Sequence, residues 1–329
     1  MQTLGPQRRT RRPPGTSPPW RLGLAILALL TASWLALASM GGREPGERLL
    51  FEKDSLYHHV MVTESAEGLR YLSFNRAMGH QSAVRLGHPE ELTFAYTKSA
   101  FAALAFLERP PEDVLFVGLG GGSMPMYLRL VDPQVNMDIA EIDPEVARVA
   151  GEYLGFKPDQ RMRVAVMDGR MFLKRHDKRY DLIFLDAYND HAVPFHLTTR
   201  EFLELVRSRL RPGGVVVGNI WSEGLNSYFP AMVKTYQQVF PQVYILRAAS
   251  SANHIFLATL DPGQVPAEKA VARARQVMAG RSWSFDLAEL VGREYECHTG
   301  RAVKAQVLTD DHAPVNLLRT QRPKGDMEP

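Results

Sequence analysis

Short apolar runs alternate with stretches of helical length between residues 114 and 219. Uninterrupted apolar runs are typical of strands that are buried on both faces. Strands are predicted at residues 114–117, 137–141, 162–167, 181–185 and 214–219, and helices at residues 144–153 and 199–210. Strands separated by helices of this length form parallel sheets. The pattern therefore predicts an α/β fold with a doubly wound, mostly parallel, Rossmann-like sheet.

Shorter elements are predicted on both sides of this region. Residues 57–62 and 69–74 have β-type patterns separated by Glu67-Gly68, which predicts a small N-terminal β-hairpin. Residues 92–107 (LTFAYTKSAFAALAFL) predict an apolar helix. Two later strands and a closing helix are predicted at residues 243–246, 254–259 and 265–279.

Changes in composition divide the chain into five parts. They are a basic Pro/Arg-rich tail (residues 1–21), a transmembrane anchor or signal segment (22–42), a linker and N-terminal β region (43–92), a Rossmann-like domain (93–260), and a C-terminal helical extension and tail (261–329).

The second part contains a run of 17 residues without a charge (LGLAILALLTASWLALA, residues 22–38), at the short end of what crosses a bilayer. It predicts a membrane-targeting segment, which is either an uncleaved anchor or a signal cleaved near Ala36-Leu37-Ala38. A misassigned start codon is a third interpretation. Because arginines precede the run, the positive-inside rule predicts that the N-terminus stays on the cytoplasmic side and that the body of the protein lies on the other side of the membrane.

The formal net charge of +3 at pH 7 comes from the N-terminal tail. Residues 1–21 carry five arginines and no acid, which leaves 34 basic and 36 acidic side chains in the rest of the chain. A nucleic-acid-binding protein needs basic residues clustered on its folded body. No nucleic-acid partner is therefore expected.

No metal site is predicted. The single cysteine, Cys297, excludes an intrachain disulfide framework and a zinc site built on several thiolates. His58-His59, His191 and His196 have no companion ligand at metal-binding spacing, so they are expected to be loop or strand-surface residues.

Candidate functional residues are expected directly after each strand, because ligands of open parallel sheets bind at the carboxyl ends of the strands. Gly118-Leu119-Gly120-Gly121-Gly122 follows the first strand and lets the backbone approach a ligand. Glu141 ends the second strand, where a carboxylate can accept both hydroxyls of a ribose. Asp168 follows the third strand and can accept an adenine amino hydrogen, while a neighbouring backbone amide pairs with the ring. These residues describe an adenosine pocket.

The pocket favours a nucleoside sulfonium over a nucleotide. Ser123 departs from the G-x-G-x-x-G spacing of dinucleotide sites, and no phosphate-binding lysine accompanies the glycines.

Asp186 is the strongest catalytic candidate. The preceding apolar strand delivers it to the centre of the carboxyl edge, and the irregular stretch at residues 187–197 weakens the alternative of a helix N-cap. Asp310-Asp311 forms a second acidic pair, which is either functional or a loop or N-cap feature.

Five segments carry a resemblance to a known family: VLFVGLGGGSMP, AEIDPEVARVA, MDGRMFL, YDLIFLDAYND and LTDDHAPVNLL. They resemble the spermidine synthase (polyamine aminopropyltransferase) family and its bacterial relatives, over about residues 55–320. The resemblance implies a sheet of the S-adenosylmethionine-dependent transferase type and a homodimer that uses the N-terminal strands.

The resemblance also implies a role for each cluster. The glycines Gly118, Gly120 and Gly122 hold the thioether tail of the nucleoside. Glu141 binds the ribose, Asp168 and Gly169 bind the adenine, and Asp186 orients and deprotonates the attacking amine. The implied substrate-binding residues are Gln81, Tyr96, Asn189, Asp190 and Asp311.

Three departures from the family concern acidic residues. The family has Asp in the glycine loop, where this chain has Gly121. It has Tyr-His-Glu where this chain has Tyr96-Thr97-Lys98, and a second Asp three residues after the first, where this chain has Asn189 followed by Asp190. Loss of the loop acid removes the repulsion that would exclude the carboxylate of intact S-adenosylmethionine. Both forms of the co-substrate therefore remain open.

The predicted function is aminopropyl transfer from decarboxylated S-adenosylmethionine to an amine such as putrescine, a step of polyamine biosynthesis. The alternatives are methyl or other sulfonium-alkyl transfer, and nucleoside binding by a membrane-tethered protein without catalysis. A co-substrate of this type is made in the cytosol, which conflicts with export of the body, so the side of the membrane stays open.

Overall fold

The structure is a computed structural model that describes residues 46–75, 79–187, 193–223, 226–249, 251–298 and 301–312. Two sheets form its framework. The smaller is antiparallel, with its strands in chain order: β1 (Arg48–Asp54), β2 (His59–Glu64), β3 (Leu69–Ser73) and β4 (Ser82–Arg85). β2 and β3 form the predicted hairpin, and Gly68 has a φ of 76° in the turn between them. β1 lies in the predicted linker and N-terminal β region but is not among the predicted strands, because its sequence shows little apolar alternation and its side chains are mostly exposed.

The larger sheet has eight strands in the order β12-β10-β11-β9-β8-β5-β6-β7. Its strands are β5 (Asp113–Val117), β6 (Asn136–Glu141), β7 (Met162–Val166), β8 (Tyr180–Leu185), β9 (Leu210–Trp221), β10 (Gln242–Arg247), β11 (Asn253–Thr259) and β12 (Tyr295–Cys297). β5 to β9 are parallel, and β10 to β12 are antiparallel to their neighbours. The predicted α/β fold with a mostly parallel sheet is confirmed.

Helices cover both faces of this sheet. The α-helices are α1 (Ala95–Ala100), α2 (Ser123–Val131), α3 (Pro144–Glu152), α4 (Gly169–Arg175), α5 (Arg200–Ser208), α6 (Phe229–Val239), α7 (Ala267–Met278) and α8 (Leu287–Glu294). Two 3-10 helices span Phe101–Phe106 and Phe195–Leu197. Separate apolar clusters lie on the two faces, as doubly wound connections require.

A third apolar cluster fixes the small sheet against the large one. Val60 and Val62 of β2 pack with Val146 and Val149 of α3. Since α3 begins just after the carboxyl end of β6, this contact holds the small sheet over the carboxyl edge of the large sheet.

Two predicted elements differ from the structure. The helix expected at residues 92–107 is α1 followed by the 3-10 helix Phe101–Phe106, whose six residues are all buried. The C-terminal extension is part of the large sheet, because β12 pairs with β10. Such pairing between distant segments leaves no local signal in the sequence.

The membrane prediction requires a correction. None of the helices in the described ranges is long and apolar enough to cross a membrane, so the predicted anchoring is not supported. The segment on which it rested, residues 22–42, lies outside the described residues.

Candidate functional site

A cavity of about 550 Å³ lies at the carboxyl edge of the large sheet, beneath the small sheet. The structure brings most of the predicted site residues together in its wall. These are Gln81, Tyr96, Gly118, Gly120, Glu141, Asp168, Gly169 and Asp186. Asn189 and Asp190 lie outside the described residues.

The glycine loop after β5 needs its glycines for different reasons. Gly118 has a φ of 100°, and a Cβ there would lie 2.3 Å from the carbonyl oxygen of Asp186. Gly118 thus lets β5 and β8 end side by side at the cavity. A Cβ on Gly122 would lie 2.5 Å from the Phe156 ring, and Gly122 does not line the cavity. Gly122 therefore serves the packing of the loop, in contrast to the predicted contact with the nucleoside.

Glu141 connects the glycine loop to the start of α3. Its carboxylate accepts hydrogen bonds from the backbone N–H of Leu119 at 3.0 Å and from that of Asp143 at 2.9 Å. The side chain is buried, and burial raises its pKa although both hydrogen bonds favour the charged form. This fixed carboxylate in the cavity wall is suited to accept hydrogen bonds from ribose hydroxyls.

Asp168 begins α4 and holds a histidine from a distant segment. One oxygen accepts the backbone N–H of Met171 at 2.9 Å, which caps the helix. The other is 2.8 Å from Nε2 of His196. Burial opposes ionisation of Asp168, but the hydrogen bonds from His196 and Met171 outweigh it and lower its pKa.

Asp186 follows β8 and faces the cavity. Oδ1 accepts a hydrogen bond from Nδ2 of Asn219 at 2.8 Å. Burial raises the pKa of Asp186 to about 6, and the hydrogen bond from Asn219 opposes this rise. Burial also raises the pKa of the Tyr96 phenol, with a further contribution from the charge of Asp186. A carboxylate with a raised pKa is a stronger base than an ordinary aspartate.

The small sheet contributes His58 to the cavity wall. The imidazole stacks on Phe74, with ring centroids 3.9 Å apart, and Nδ1 is 3.0 Å from Oδ2 of Asp143. Ser55 Oγ donates to the same carboxylate oxygen at 2.5 Å. Asp143 also caps α3 by accepting the backbone N–H of Glu145, so the small sheet is tied to the ribose side of the cavity.

The C-terminal acidic pair is divided in the structure. Asp310 accepts hydrogen bonds from Arg170 at 2.8 and 2.5 Å and from the hydroxyl of Thr199 at 2.7 Å. Asp311 is exposed and does not line the cavity. Asp310 thus ties the C-terminal segment to α4, and the structure does not bring Asp311 to the predicted substrate site.

Several cavity-lining residues were missed or misplaced from the sequence, among them two histidines and two asparagines. His58 and His196 were expected at the surface, and Asn219 and Asn253 were not identified. Asn253 lies at the amino end of β11, which is antiparallel to β9, so it reaches the same edge as the carboxyl ends of the parallel strands. A search after strands only cannot find it.

Comparisons with known proteins agree with this geometry. Residues 93–250 match the family described as "Spermine/spermidine synthase domain". The polyamine aminopropyltransferase of Vibrio vulnificus is 32% identical over 304 residues, which cover 90% of this chain and 98% of the relative. The chain belongs to the spermine/spermidine synthase family. Its named relatives are transferases, and the predicted family and enzyme class are confirmed.

Two solved structures extend the comparison. A probable spermidine synthase from Corynebacterium glutamicum has a TM-score of 0.61 at 21% identity, covering 79% of this chain and 96% of that one, and shows the shared fold. Human methyltransferase-like protein 13 in complex with SAH has a TM-score of 0.52 at 29% identity, covering 60% of this chain and 99% of that one. A further solved structure is a spermidine synthase in complex with the transition-state analogue AdoDATO. Together with the SAH of the human protein, it supports a co-substrate related to S-adenosylmethionine.

Proposed function

We propose that this member of the spermine/spermidine synthase family transfers an aminopropyl group from decarboxylated S-adenosylmethionine to a small amine. The observation that carries the proposal is the position of Asp186, a carboxylate of raised pKa that faces the cavity beside the glycine loop. Glu141 and Asp168 lie at the neighbouring strand ends, where they can hold the ribose and the adenine.

The charge of the cavity supports a cationic donor without a carboxylate. Glu141, Asp168 and Asp186 line it, whereas no Lys or Arg does so among the described residues. The carboxylate of intact S-adenosylmethionine would find no lysine or arginine among the described lining residues. A sulfonium and an ammonium both suit an acidic wall.

The reaction requires alignment and one proton acceptor. The amine nitrogen attacks the methylene carbon bound to S⁺, a C–N bond forms, and the electron pair of the C–S bond moves to sulfur. The leaving group is neutral methylthioadenosine, so its departure needs no acid. Asp186 accepts the proton that the amine nitrogen must lose, and the cavity holds nitrogen, carbon and sulfur in line.

Product analysis tests this proposal. The full chain is incubated with putrescine and either decarboxylated or intact S-adenosylmethionine, and the nucleoside products are identified by mass spectrometry. Methylthioadenosine formed only from the decarboxylated donor and only with the amine is the expected result. Absence of methylthioadenosine from that pair would overturn the assignment.

Methyl transfer is the second candidate, and Gly121 favours it. The loop lacks the acid that repels a donor carboxylate, and the human methyltransferase-like protein is 29% identical. S-adenosylhomocysteine formed from the intact donor would support this candidate. Nucleoside binding without turnover of any amine would support a binding protein.

A homodimer through the N-terminal strands stays a prediction, to be tested by light scattering of the purified chain.

A further inference from the structure

Three polar side chains form a hydrogen-bonded chain that ends on Asp186. Asn219 on β9 donates from Nδ2 to Oδ1 of Asp186 at 2.8 Å. Asn253 on β11 donates from Nδ2 to Oδ1 of Asn219 at 2.9 Å. The hydroxyl of Ser251 donates to Oδ1 of Asn253 at 2.7 Å. The direction of donation is therefore the same at every link.

Both ends of the chain favour this direction. The backbone N–H of Asn253 donates to Ser251 Oγ at 3.2 Å. Because Oγ already accepts there, its own proton is free to be donated to the side-chain oxygen Oδ1 of Asn253. At the other end, an ionised Asp186 can only accept. If the Asn219 amide turned over, its carbonyl oxygen would face the carboxylate, and two acceptors would oppose each other.

We propose that Asn253 is a positioning residue for Asp186, which acts by holding the Asn219 amide with its NH₂ group toward the carboxylate. Asn219 in turn holds one carboxylate oxygen and leaves the other for the amine. The inference rests on the proposed function for the identity of the reaction, but the hydrogen-bonded chain itself does not depend on it. Neither the family match nor the strand pattern points to Asn253.

Other titratable groups share the cavity with Asp186 and could affect its protonation. They come from the small sheet, α1, the ends of β6 and β7 and the second 3-10 helix, and are Tyr57, His58, His80, Tyr96, Glu141, Asp168 and His196. All of them are kept in the variants compared below. A difference in rate or titration between the variants is therefore caused by the change in the hydrogen bonds of Asn219 and Asn253.

A double-mutant cycle tests the proposal. Asn219→Ala and Asn253→Ala are each expected to lower kcat/KM by about tenfold, the loss for one hydrogen bond to a charged group. If Asn253 acts only through Asn219, the double variant is no slower than Asn219→Ala alone. Multiplicative losses of about a hundredfold would mean that Asn253 contacts the substrate itself and would overturn the proposal.

Titration of the Asp186 carboxyl carbon by NMR supplies a readout that needs no turnover. Both single variants are expected to titrate at higher pH than the unmodified chain, by up to about one unit, with no further change in the double variant. An unchanged titration in Asn253→Ala would overturn the proposal. If the unmodified chain turned over no amine, the proposed function would fail while this titration still tested the positioning role.

Two further variants distinguish the loss of a hydrogen bond from general destabilisation of the fold. Ser251→Ala removes the outer end of the chain and is expected to shift the titration in the same direction by a smaller amount, with no effect in the Asn253→Ala background. Thr259→Val, at the opposite end of β11, controls for general effects on that strand. Thermal melts confirm that each variant is folded. If Ser251→Ala is folded and leaves the titration of Asp186 unchanged, the proposed series of hydrogen bonds is contradicted.

Discussion

The Nε2 atom of His196 lies 2.8 Å from the Asp168 carboxylate oxygen that does not cap α4. Both carboxylate oxygens therefore have protein partners. Since the proposed function assigns Asp168 to the adenine amino group, the nucleoside must share or displace the contact with His196.

Replacement of His196 tests this competition. His196→Ala is expected to strengthen methylthioadenosine binding several-fold. In this variant the nucleoside reaches the second oxygen of Asp168 without breaking a hydrogen bond within the protein. Isothermal titration calorimetry measures the change, and His88→Ala, an exposed histidine outside the cavity, is the matched control. Weaker binding in His196→Ala would mean that the imidazole contacts the nucleoside.

The protonation of Asp186 predicts the acid side of the pH profile. With a pKa of about 6, the carboxylate is increasingly protonated below that pH and cannot accept a proton from the amine. We expect kcat/KM to fall tenfold per pH unit well below pH 6, measured with the donor at a fixed concentration below its KM. An acid limb near the ordinary aspartate pKa of about 4 would separate Asp186 from the catalytic step.

Asp186→Asn is expected to abolish turnover, leave nucleoside binding nearly intact and stabilise the protein. Because the folded-state pKa is raised from 3.8, the folded protein binds more protons than the unfolded chain between about pH 4 and 6. Stability from this group is therefore lost as pH rises through that range. Above pH 6 the variant should gain at most about 3 kcal/mol in the free energy of unfolding, and nothing near pH 3. Urea unfolding at pH 3 and pH 8 measures the difference, and turnover like that of the unmodified chain would contradict the catalytic role.

The glycine loop and β4 are adapted to each other at Gly121. A Cβ at this position would lie 2.6 Å from Ser82 Oγ. Gly121→Asp is therefore expected to destabilise the fold by about 1–3 kcal/mol, since a buried neighbour must move. Gly121→Asp combined with Ser82→Gly should recover much of that loss. Thermal unfolding of the single and double variants measures the recovery, and equal losses in both would show that Ser82 is not the obstacle.

Asp310 and Asp311 make a matched pair for the C-terminal segment. Asp310→Ala is expected to destabilise the protein by about 1 kcal/mol, because Arg170 is largely buried and loses a two-pronged partner. Asp311→Ala should change stability by less than about 0.5 kcal/mol, as is usual at exposed positions. Denaturant unfolding distinguishes them. A large loss of amine affinity in Asp311→Ala would instead restore the predicted substrate role.

The sequence by itself determined the parallel sheet, the glycine loop and the acids at the strand ends. Apolar runs separated by helices predict parallel strands, and the carboxyl ends of parallel strands necessarily meet at one edge. Glu141, Asp168 and Asp186 could therefore be placed in one cavity from local pattern alone. The family resemblance rested on these same segments, which explains why it was confirmed.

Only the tertiary structure decided the contacts between segments that are distant along the chain. Packing of β2 on α3 turned His58 inward, and the antiparallel pairing of β11 with β9 brought Asn253 to Asn219. Packing likewise directed Gly122 toward Phe156 and left Asp311 exposed. Such contacts depend on which elements pack against each other. The pattern of residues within one segment does not indicate which distant segment will be its neighbour.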